Sequence, residues 1–413
     1  MRTSHLTLRP FSPEEYPTAF RLLMRVFGEA VDDKDMDAER AVVEYDRTLA
    51  TFDGEEMVGV MSAFSFDMSV PGGSLPVGGT TWVGVSPTHR RRGVLSTMMR
   101  RHLDDVAARG EPLAALWASE AAIYGRYGYG VAIEQLHCTV ALDQGLTWEA
   151  TTPPAATQVS LVPLEEAYAV LNPIYEACRR RRAGMHVRSE AWWGQQALST
   201  RPNVLSGMSE KLVAVAEVDG RDAAYAIYGQ KPGSVHGRPD GRMKVMEMAG
   251  VDTTAEAAMW RYLLDHDLVR TVEAWGRPAD EPLPLLLTDS RRVSSQVRDT
   301  LYVRVVDLPA ALRGRGYADS VGVTIEVSDD VLEANDGVWR LEVAPEGASV
   351  DSAEGSAPDL RMDVRALGSL YMGGIGLRRL IAAGRVEVRN PTVVSAVEAA
   401  FATDEAPWVP EVW

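Results

Sequence analysis

The segment 83–95 constrains the fold most, because it joins an apolar strand to an amphipathic helix through a basic turn. Residues 80–85 are β-branched and aromatic, which is typical of a strand. Apolar residues then recur at helical spacing as far as Val106, and Arg109 followed by Gly110 predicts the end of the helix. The segment therefore predicts a strand, a tight turn and a helix in succession.

This turn has the chemistry of an anion site. The first amides of a helix have no intrahelical acceptor and lie at the positive end of its dipole, so they attract negative charge. Gly93 has no Cβ and would allow a ligand to approach the backbone closely. We therefore expect a phosphate or pyrophosphate ligand, although an arginine-rich helix start taken alone is more often a solvated surface.

The turn differs from the common nucleotide motifs. It lacks the Lys-Ser/Thr ending of a P-loop and the three glycines of a Rossmann turn, so ATP, GTP and NAD fit poorly. One helix further on, residues 113–129 predict a buried strand, Ser119 as a helix N-cap, and a short helix closed by glycine. This short helix contains Tyr124, which by itself is more simply explained as a core tyrosine.

Length and composition limit the class of protein. A chain of 413 residues with 46% hydrophobic residues is long enough for two or three packed domains. It contains no apolar run of membrane-spanning length, and its N-terminus lacks the apolar core of a signal peptide, so we expect a cytoplasmic protein without a membrane partner. Its two cysteines fit a reducing compartment, and its seven scattered histidines predict no metal site.

The net charge of −16 argues against a nucleic-acid partner and favours a cationic one. The run of four arginines at 179–182 could be a nucleic-acid patch. In so acidic a chain we expect instead a solvated helix face or a contact between subunits.

The order of strand, turn and helix recurs near residue 250. A strand at 244–248 is followed by a turn at 249–254 and an apolar-periodic helix at 257–268. Ala255, Glu256, Ala257 and Ala258 occupy the four positions that correspond to Arg90 to Gly93. This predicts a second, related domain that does not bind a cofactor, with chance similarity as the alternative.

The sequence changes character after a polar stretch at 288–300. Alternating residues predict strands at 301–308, 321–327 and 338–343, and 347–358 is loop-like. Asn390 and Pro391 provide a cap and a first-turn proline for a helix at 392–403.

Arg90-x-x-Gly93-x-Leu95 resembles the pyrophosphate loop of the GCN5-related N-acetyltransferases (GNAT), which bind acetyl-coenzyme A. Leu95 is a departure, because that family commonly has Gly or Ala there. The segment around Tyr124 is similar to the family's tyrosine motif. Four segments together resemble the enhanced intracellular survival (Eis) type of this family, in order 85–93, 118–126, 307–312 and 367–371.

The resemblance implies an α/β (α+β) chain with tandem GCN5-related acetyltransferase domains followed by a sterol-carrier-protein-like α+β domain. The expected limits are 1–135 for the catalytic domain, 136–292 for a degenerate copy without a cofactor site, and 293–413 for the third domain. The resemblance also implies a homohexamer in which the C-terminus enters the active site of the first domain.

The resemblance further implies acetyl-CoA as cosubstrate, Tyr124 as proton donor, and the C-terminal carboxylate of Trp413 as proton acceptor. The family often ends in phenylalanine, so the tryptophan is a departure. The expected coenzyme-binding residues are Val83, Gly84, Val85, Arg90, Arg91, Arg92, Gly93, Val94, Leu95, Ser96, Ser119 and Glu120.

The expected reaction is direct acetyl transfer to an amine of a cationic acceptor, such as an aminoglycoside or a polyamine-like molecule. Aromatic and acidic residues suit such an acceptor, and the candidates are Phe27, Glu29, Trp82 and Glu411. Two alternatives stay open: a protein lysine acetyltransferase, and a carrier of apolar ligands that works through the third domain.

Overall fold

The computed structural model describes residues 6–142, 145–151, 158–201 and 207–413. Its internal contacts divide the chain into two units. The first unit contains the residues up to Ile133 together with Thr300–Asp404 and Val412–Trp413, and the second contains Glu134–Asp299 and Glu405–Glu411. In the described ranges no helix combines the length and the apolar character needed to cross a membrane.

The first unit contains a seven-stranded sheet in the order β1-β2-β3-β4-β5-β16-β6. Its strands are β1 (Leu6–Arg9), β2 (Leu49–Asp53), β3 (Glu56–Val70), β4 (Gly73–Val85), β5 (Leu113–Trp117), β6 (Gly130–Val131) and β16 (Leu301–Val305). The predicted strand at 301–308 thus becomes β16, which pairs antiparallel with β5 in this sheet rather than joining the sheet of the predicted third domain.

Four helices accompany this sheet: α1 (Tyr16–Phe27), α2 (Asp33–Arg40), α3 (Val94–Ala108) and α4 (Ala121–Tyr124). Helix α3 confirms the predicted helix, since it buries the apolar stripe from Val94 to Val106 and is followed by Gly110 with a left-handed φ of 72°. The predicted cap at Ser119 is wrong: Glu120 is the N-cap of α4, and no side chain accepts a hydrogen bond there.

A five-stranded sheet completes the first unit in the order β19-β18-β17-β20-β21. Its strands are β17 (Val321–Ser328), β18 (Gly337–Ala344), β19 (Gly347–Ser352), β20 (Leu360–Asp363) and β21 (Val386–Val388), with helices α9 (Leu308–Gly314), α10 (Val364–Tyr371), α11 (Leu377–Ala382) and α12 (Val394–Phe401). The expected loop at 347–358 is partly wrong, because β19 pairs antiparallel with β18.

The second unit contains another seven-stranded sheet, in the order β15-β7-β14-β13-β10-β9-β8. Its strands are β7 (Glu134–Ala141), β8 (Gln158–Leu161), β9 (Leu212–Val218), β10 (Arg221–Lys231), β13 (Gly241–Gly250), β14 (Val269–Pro278) and β15 (Val293–Asp299). A hairpin of β11 (Ser234–Val235) and β12 (Arg238–Pro239) and helices α5 (Leu164–Arg179), α6 (Glu190–Gln195), α7 (Thr253–Leu263) and α8 (Leu283–Leu286) also belong to it. Strand β15 begins at the expected start of the third domain, yet it pairs with β7.

The arginine run at 179–182 is not a solvated helix face, which corrects the sequence expectation. Only Arg179 belongs to α5, where it pairs with Glu176 at 2.9 Å. Arg182 is only 2% exposed and lies 2.8 Å from Asp280. Burial of a guanidinium is possible here because carboxylates of the same unit neutralise its charge.

Candidate functional site

A cleft of about 490 Å³ opens in the first unit where β4 separates from β5. The two strands pair in parallel from Val77 to Gly79 on β4, and their pairing ends at Gly79. On its other side β4 has a register shift against β3, near Trp82, whose φ is 56°. Because a bulge bends a strand and increases its twist, β4 turns away from β5, and Val83 and Val85, which follow the bulge, line the cleft.

The N-terminus of α3 forms one wall of the cleft. Its N-cap is Gly93, with φ 81°, which provides no side-chain cap for the amides of the first turn. A Cβ built on Gly93 would meet nothing within 4 Å, so the space above this backbone is open. The adjoining Arg90 and Arg91 are exposed and also line the cleft. Open amides, a helix dipole and two guanidinium groups can together hold a pyrophosphate.

Tyr124 lies at the end of α4 and lines the same cleft, with only 5% of its surface exposed. Burial raises the pKa of Tyr124 to about 12, an effect that a hydrogen bond from Ser119 partly opposes. The phenol therefore stays protonated at neutral pH and can donate a proton.

Tyr124 lies next to a series of hydrogen-bonded, buried polar side chains. The Tyr124 ring lies 6.2 Å from the ring of Tyr129 in an edge-on arrangement. The Tyr129 hydroxyl is 2.9 Å from Oγ1 of Thr80, which is 2.7 Å from Nε2 of His102 on α3. Strand β4, helix α3 and the tyrosine pair are thus tied together at the point where the cleft opens.

The cleft brings together most of the residues that the sequence predicted. Its lining includes Phe27, Val83, Val85, Arg90, Arg91, Gly93, Val94, Leu95, Ser96, Ser119, Glu120 and Tyr124. Gly84, Arg92 and Trp413 are not among its lining residues, nor is the exposed Glu29 that follows α1.

Sequence reasoning missed five lining residues, namely Val26, His89, Ile123, Arg126 and Tyr127. Three of them, Ile123, Arg126 and Tyr127, belong to the segment 113–129 around Tyr124, which could have identified them. The Tyr127 hydroxyl lies 3.0 Å from Oγ of Ser96 and so connects this motif to the first turn of α3.

Trp82 does not line the cleft. The prediction that Trp82 forms an aromatic wall of the acceptor pocket is therefore corrected. Its side chain is 9% exposed and packs against the rings of Tyr16 and Phe20, at 5.5 and 5.9 Å. At the bulge the side chain turns toward α1, where a large aromatic gains from burial.

Trp413 packs against the first sheet through its ring. Its centroid lies 4.9 Å from that of Phe66 on β3 and 6.5 Å from that of Trp117 on β5, both edge-on. Sequence analysis did not single out either partner, because nothing local in β3 or β5 marks a contact with a residue so distant in the chain.

Glu411 is engaged in the second unit, which corrects its prediction as an acceptor-binding residue. It is 7% exposed and forms a two-point ion pair with Arg188, with both distances 2.9 Å. A carboxylate buried and neutralised in this way is not available to attract a cationic acceptor.

The second unit has a strand and helix in the same order, but a different helix start. The side chain of Asp252 caps α7 by accepting from the amide of Ala255 at 2.8 Å. Glu256 in the first turn is buried, with its carboxylate 2.8 Å from Nη2 of Arg277. Two carboxylates at this helix start would oppose a pyrophosphate, in contrast to the uncapped start of α3.

Comparisons with known proteins agree with this geometry. Two sequence families, each described as an acetyltransferase (GNAT) domain, match residues 7–132 and 184–305, and a sterol carrier protein domain family matches residues 308–410. An uncharacterized N-acetyltransferase of Streptomyces avermitilis is 38% identical, with 98% of each chain covered.

The N-acetyltransferase Eis of Mycobacterium tuberculosis H37Ra is 32% identical, with 97% of each chain covered. Among solved structures, Eis1 from Mycobacterium abscessus superposes with a TM-score of 0.85 at 30% identity and covers 98% of this chain and 100% of its own. The similarity therefore extends over both acetyltransferase-like folds and the sterol-carrier-like fold.

Proposed function

Since this chain belongs to the Eis-type N-acetyltransferases of the GNAT superfamily, with acetyl-CoA as cosubstrate, we propose that it acetylates an amine of a small cationic acceptor. An aminoglycoside or a polyamine-like molecule has the required chemistry. The observation that carries the proposal is the first unit's cleft, which combines an uncapped helix N-terminus with the buried, protonated phenol of Tyr124.

The residues around the cleft fit the coenzyme. The open space above Gly93, the free first turn of α3 and the exposed Arg90 and Arg91 suit the pyrophosphate. The backbone of β4 from Val83 to Val85 would pair with the amides of the pantetheine arm in the manner of an added strand. The bound coenzyme supplies the thioester whose acetyl group is transferred.

We assign Tyr124 as the general acid. Its phenol is held in the protonated form by burial and faces the cleft. It would give its proton to the sulfur that leaves as the acetyl group is transferred, which makes that sulfur a better leaving group.

We assign the carboxylate of Trp413 as the general base. A protonated amine cannot attack a thioester, so one group must first remove its proton. A free carboxylate has an ordinary pKa near 3.5. The contacts of the Trp413 ring with Phe66 and Trp117 would hold the chain terminus in one place, and loss of hydration when acceptor and coenzyme bind would make the carboxylate a stronger base.

The acceptor side is proposed from charge and aromatic character. The chain carries a net charge of −16, which favours cationic molecules over acidic ones. Phe27 lines the cleft with 45% of its surface exposed, and Glu29 follows it in the chain. Together they would offer a cation–π surface and a counter-charge to an ammonium group.

The test is a turnover assay with matched acceptors. We expect purified protein to consume acetyl-CoA, measured as thiol release, with an aminoglycoside or spermine and far more slowly with lysine-containing peptides. The reverse preference would favour protein lysine acetylation. Binding of a fluorescent fatty acid without any acetyl transfer would favour the apolar-ligand carrier.

The domain limits 1–135, 136–292 and 293–413, the homohexamer and the cytoplasmic location remain predictions. Size-exclusion chromatography with light scattering measures the oligomer directly, and limited proteolysis followed by mass spectrometry measures the domain limits.

A further inference from the structure

In the second unit, protein side chains fill the region that corresponds to the first unit's cleft. Strands β13 and β14 pair in parallel from Gly241 to Val245 of β13, and their pairing ends at Val245. Beyond that point Arg277 on β14, with 1% of its surface exposed, donates a hydrogen bond to the carbonyl of Met248 on β13. A guanidinium thus bridges the strands where a coenzyme would otherwise reach the backbone.

Residues 405–411, here called the tail segment, complete this filling at Trp408. The Trp408 side chain is 2% exposed, and its Nε1 donates to the carbonyl of Gly276 at 2.5 Å. Its backbone amide donates to Ala183 at 2.7 Å, and its ring lies 5.5 Å from the guanidinium carbon of Arg277. The indole therefore makes both polar contacts and a cation–π contact in this region.

The start of the tail segment is held by the arginine run. Arg181 Nε lies 2.8 Å from Oε1 of Glu405, and Arg182 donates to the carbonyl of Ala406 at 2.8 Å. Asp280 accepts from the amide of Ala406 at 2.9 Å. The run at 179–182 therefore has a binding role within the second unit.

The end of the tail segment is held at Glu411. Arg188 and His186 approach Oε1 of its carboxylate at 2.9 and 2.7 Å, and the indole of Trp192 donates to Oε2 at 3.1 Å. Arg188 is fully buried and also forms a two-point ion pair with Glu247, at 2.8 and 2.9 Å. Such a charge-assisted network fixes a side chain far more firmly than a surface contact does.

We propose that the second acetyltransferase-like fold is a binding site for the chain's own C-terminal segment. In place of a nucleotide, this fold binds an acidic, tryptophan-containing peptide, which it holds at Glu405, Trp408 and Glu411. The fixed segment ends two residues before Trp413 and so limits where the chain terminus can go. Only the catalytic meaning of this limit, namely the placement of the Trp413 carboxylate as a base, rests on the proposed function.

The test uses the full-length protein and measures the tail segment itself. Hydrogen exchange of the amides in 405–411, and the rate at which chymotrypsin cleaves after the buried Trp408, both report how often the tail segment detaches. Glu411→Gln keeps the shape of the side chain and removes its charge. We expect both rates to rise at least about tenfold, the size expected when a hydrogen bond to a charged group is lost.

Glu165→Gln is the matched control, because it makes the same chemical change on an exposed side chain of the same unit. It should leave both rates unchanged. Wild-type rates in a folded Glu411→Gln protein would overturn the proposal.

A second set of variants covers the case in which Glu411→Gln fails to fold. Arg181 and Glu405 are each about one-quarter exposed, so the fold should tolerate their replacement. Arg181→Gln and Glu405→Gln should each accelerate exchange. Because Glu405 also pairs with Arg182 and Arg181 also binds the carbonyl of Gly250, the double variant should exceed either single one but stay below the sum of the two effects. Full additivity, or no acceleration, would contradict binding through this pair.

Activity separates this inference from the proposed function. A loosened tail segment should lower kcat and leave acetyl-CoA affinity unchanged, because the coenzyme residues lie in the first unit. If the tail segment loosens and kcat stays at the wild-type value, the tail-binding site stands and the Trp413 carboxylate fails as the base.

Discussion

The ring of Trp413 meets the ring of Phe66 edge-on, with centroids 4.9 Å apart and planes inclined at 73°. Chain ends are usually frayed, whereas this one packs against β3 and β5 of the first sheet. Aromatic packing of this kind would hold in place the carboxylate that we propose as the general base.

Extending the chain beyond Trp413 should abolish most of the activity. A few added residues convert the terminal carboxylate into a neutral amide, which cannot accept a proton. We expect a severe loss of kcat with an unchanged melting temperature, measured by thiol release and thermal unfolding. The same residues added at the N-terminus are the control and should have no effect.

Deleting Trp413 should also lower kcat. The carboxylate then stands on Val412, about 3.5 Å short of its place, and such a displacement is costly for a positioned base. If the protein with residues added after Trp413 keeps full turnover, the general base must be another residue, and Glu29 and Glu120 are the next candidates.

Tyr124→Phe should lower kcat about a hundredfold or more, because a general acid is lost. Acetyl-CoA affinity, measured by calorimetry, should change little. Since the pKa of Tyr124 is raised to about 12, the phenol of the wild type stays protonated through pH 10, and ionisation of this group should cause no loss of kcat between pH 8 and 10. A lower melting temperature with normal turnover per folded molecule would instead mean a structural tyrosine.

Gly93→Val should abolish coenzyme binding, because the new side chain occupies the open space above the helix start. Its φ of 81° adds a backbone cost of about 1–2 kcal/mol. Gly110→Val is a matched control, since Gly110 has a similar φ of 72° and similar free space at the other end of α3. Both variants should lose comparable stability, and only Gly93→Val should lose acetyl-CoA binding.

Calorimetry should give one acetyl-CoA per chain. Asp252 already caps the helix start of the second unit, and Glu256 is buried beside it. A stoichiometry of two would contradict the assignment of this unit as unable to bind the coenzyme.

His102 should make the protein less stable at low pH. Burial, with a smaller effect of Arg47, lowers the pKa of His102 to about 3. In the unfolded chain His102 takes up a proton as the pH falls through about 6.5, whereas in the folded protein it stays neutral. The free energy of unfolding is therefore unaffected by His102 above about pH 6.5 and decreases as the pH falls below it. The wild type should lose up to about 1.4 kcal/mol per pH unit relative to His102→Gln, measured by urea unfolding at pH 7, 6 and 5. Equal losses in both proteins would contradict this.

Local residue patterns were sufficient to predict the strand, turn and helix that build the site. The strand, turn and helix around Gly93 follow from residue periodicity and from glycine's access to left-handed φ, and the structure has them at the predicted places. The second strand and helix near residue 250 were visible for the same reason, although α7 begins at Thr253 and ends at Leu263.

The pairing of segments that are distant in the chain could not be predicted from local patterns and is set by tertiary contacts. β16 joins β5 across more than 180 residues of chain, and β15 joins β7, so the sheets are completed by strands that periodicity cannot assign to a partner. Arg182 was predicted on a solvated helix face or a subunit contact, and Glu411 was predicted to bind the acceptor, yet each is buried beside an oppositely charged group. Burial and charge pairing depend on contacts between residues far apart in the chain, and a local sequence pattern carries no record of those contacts.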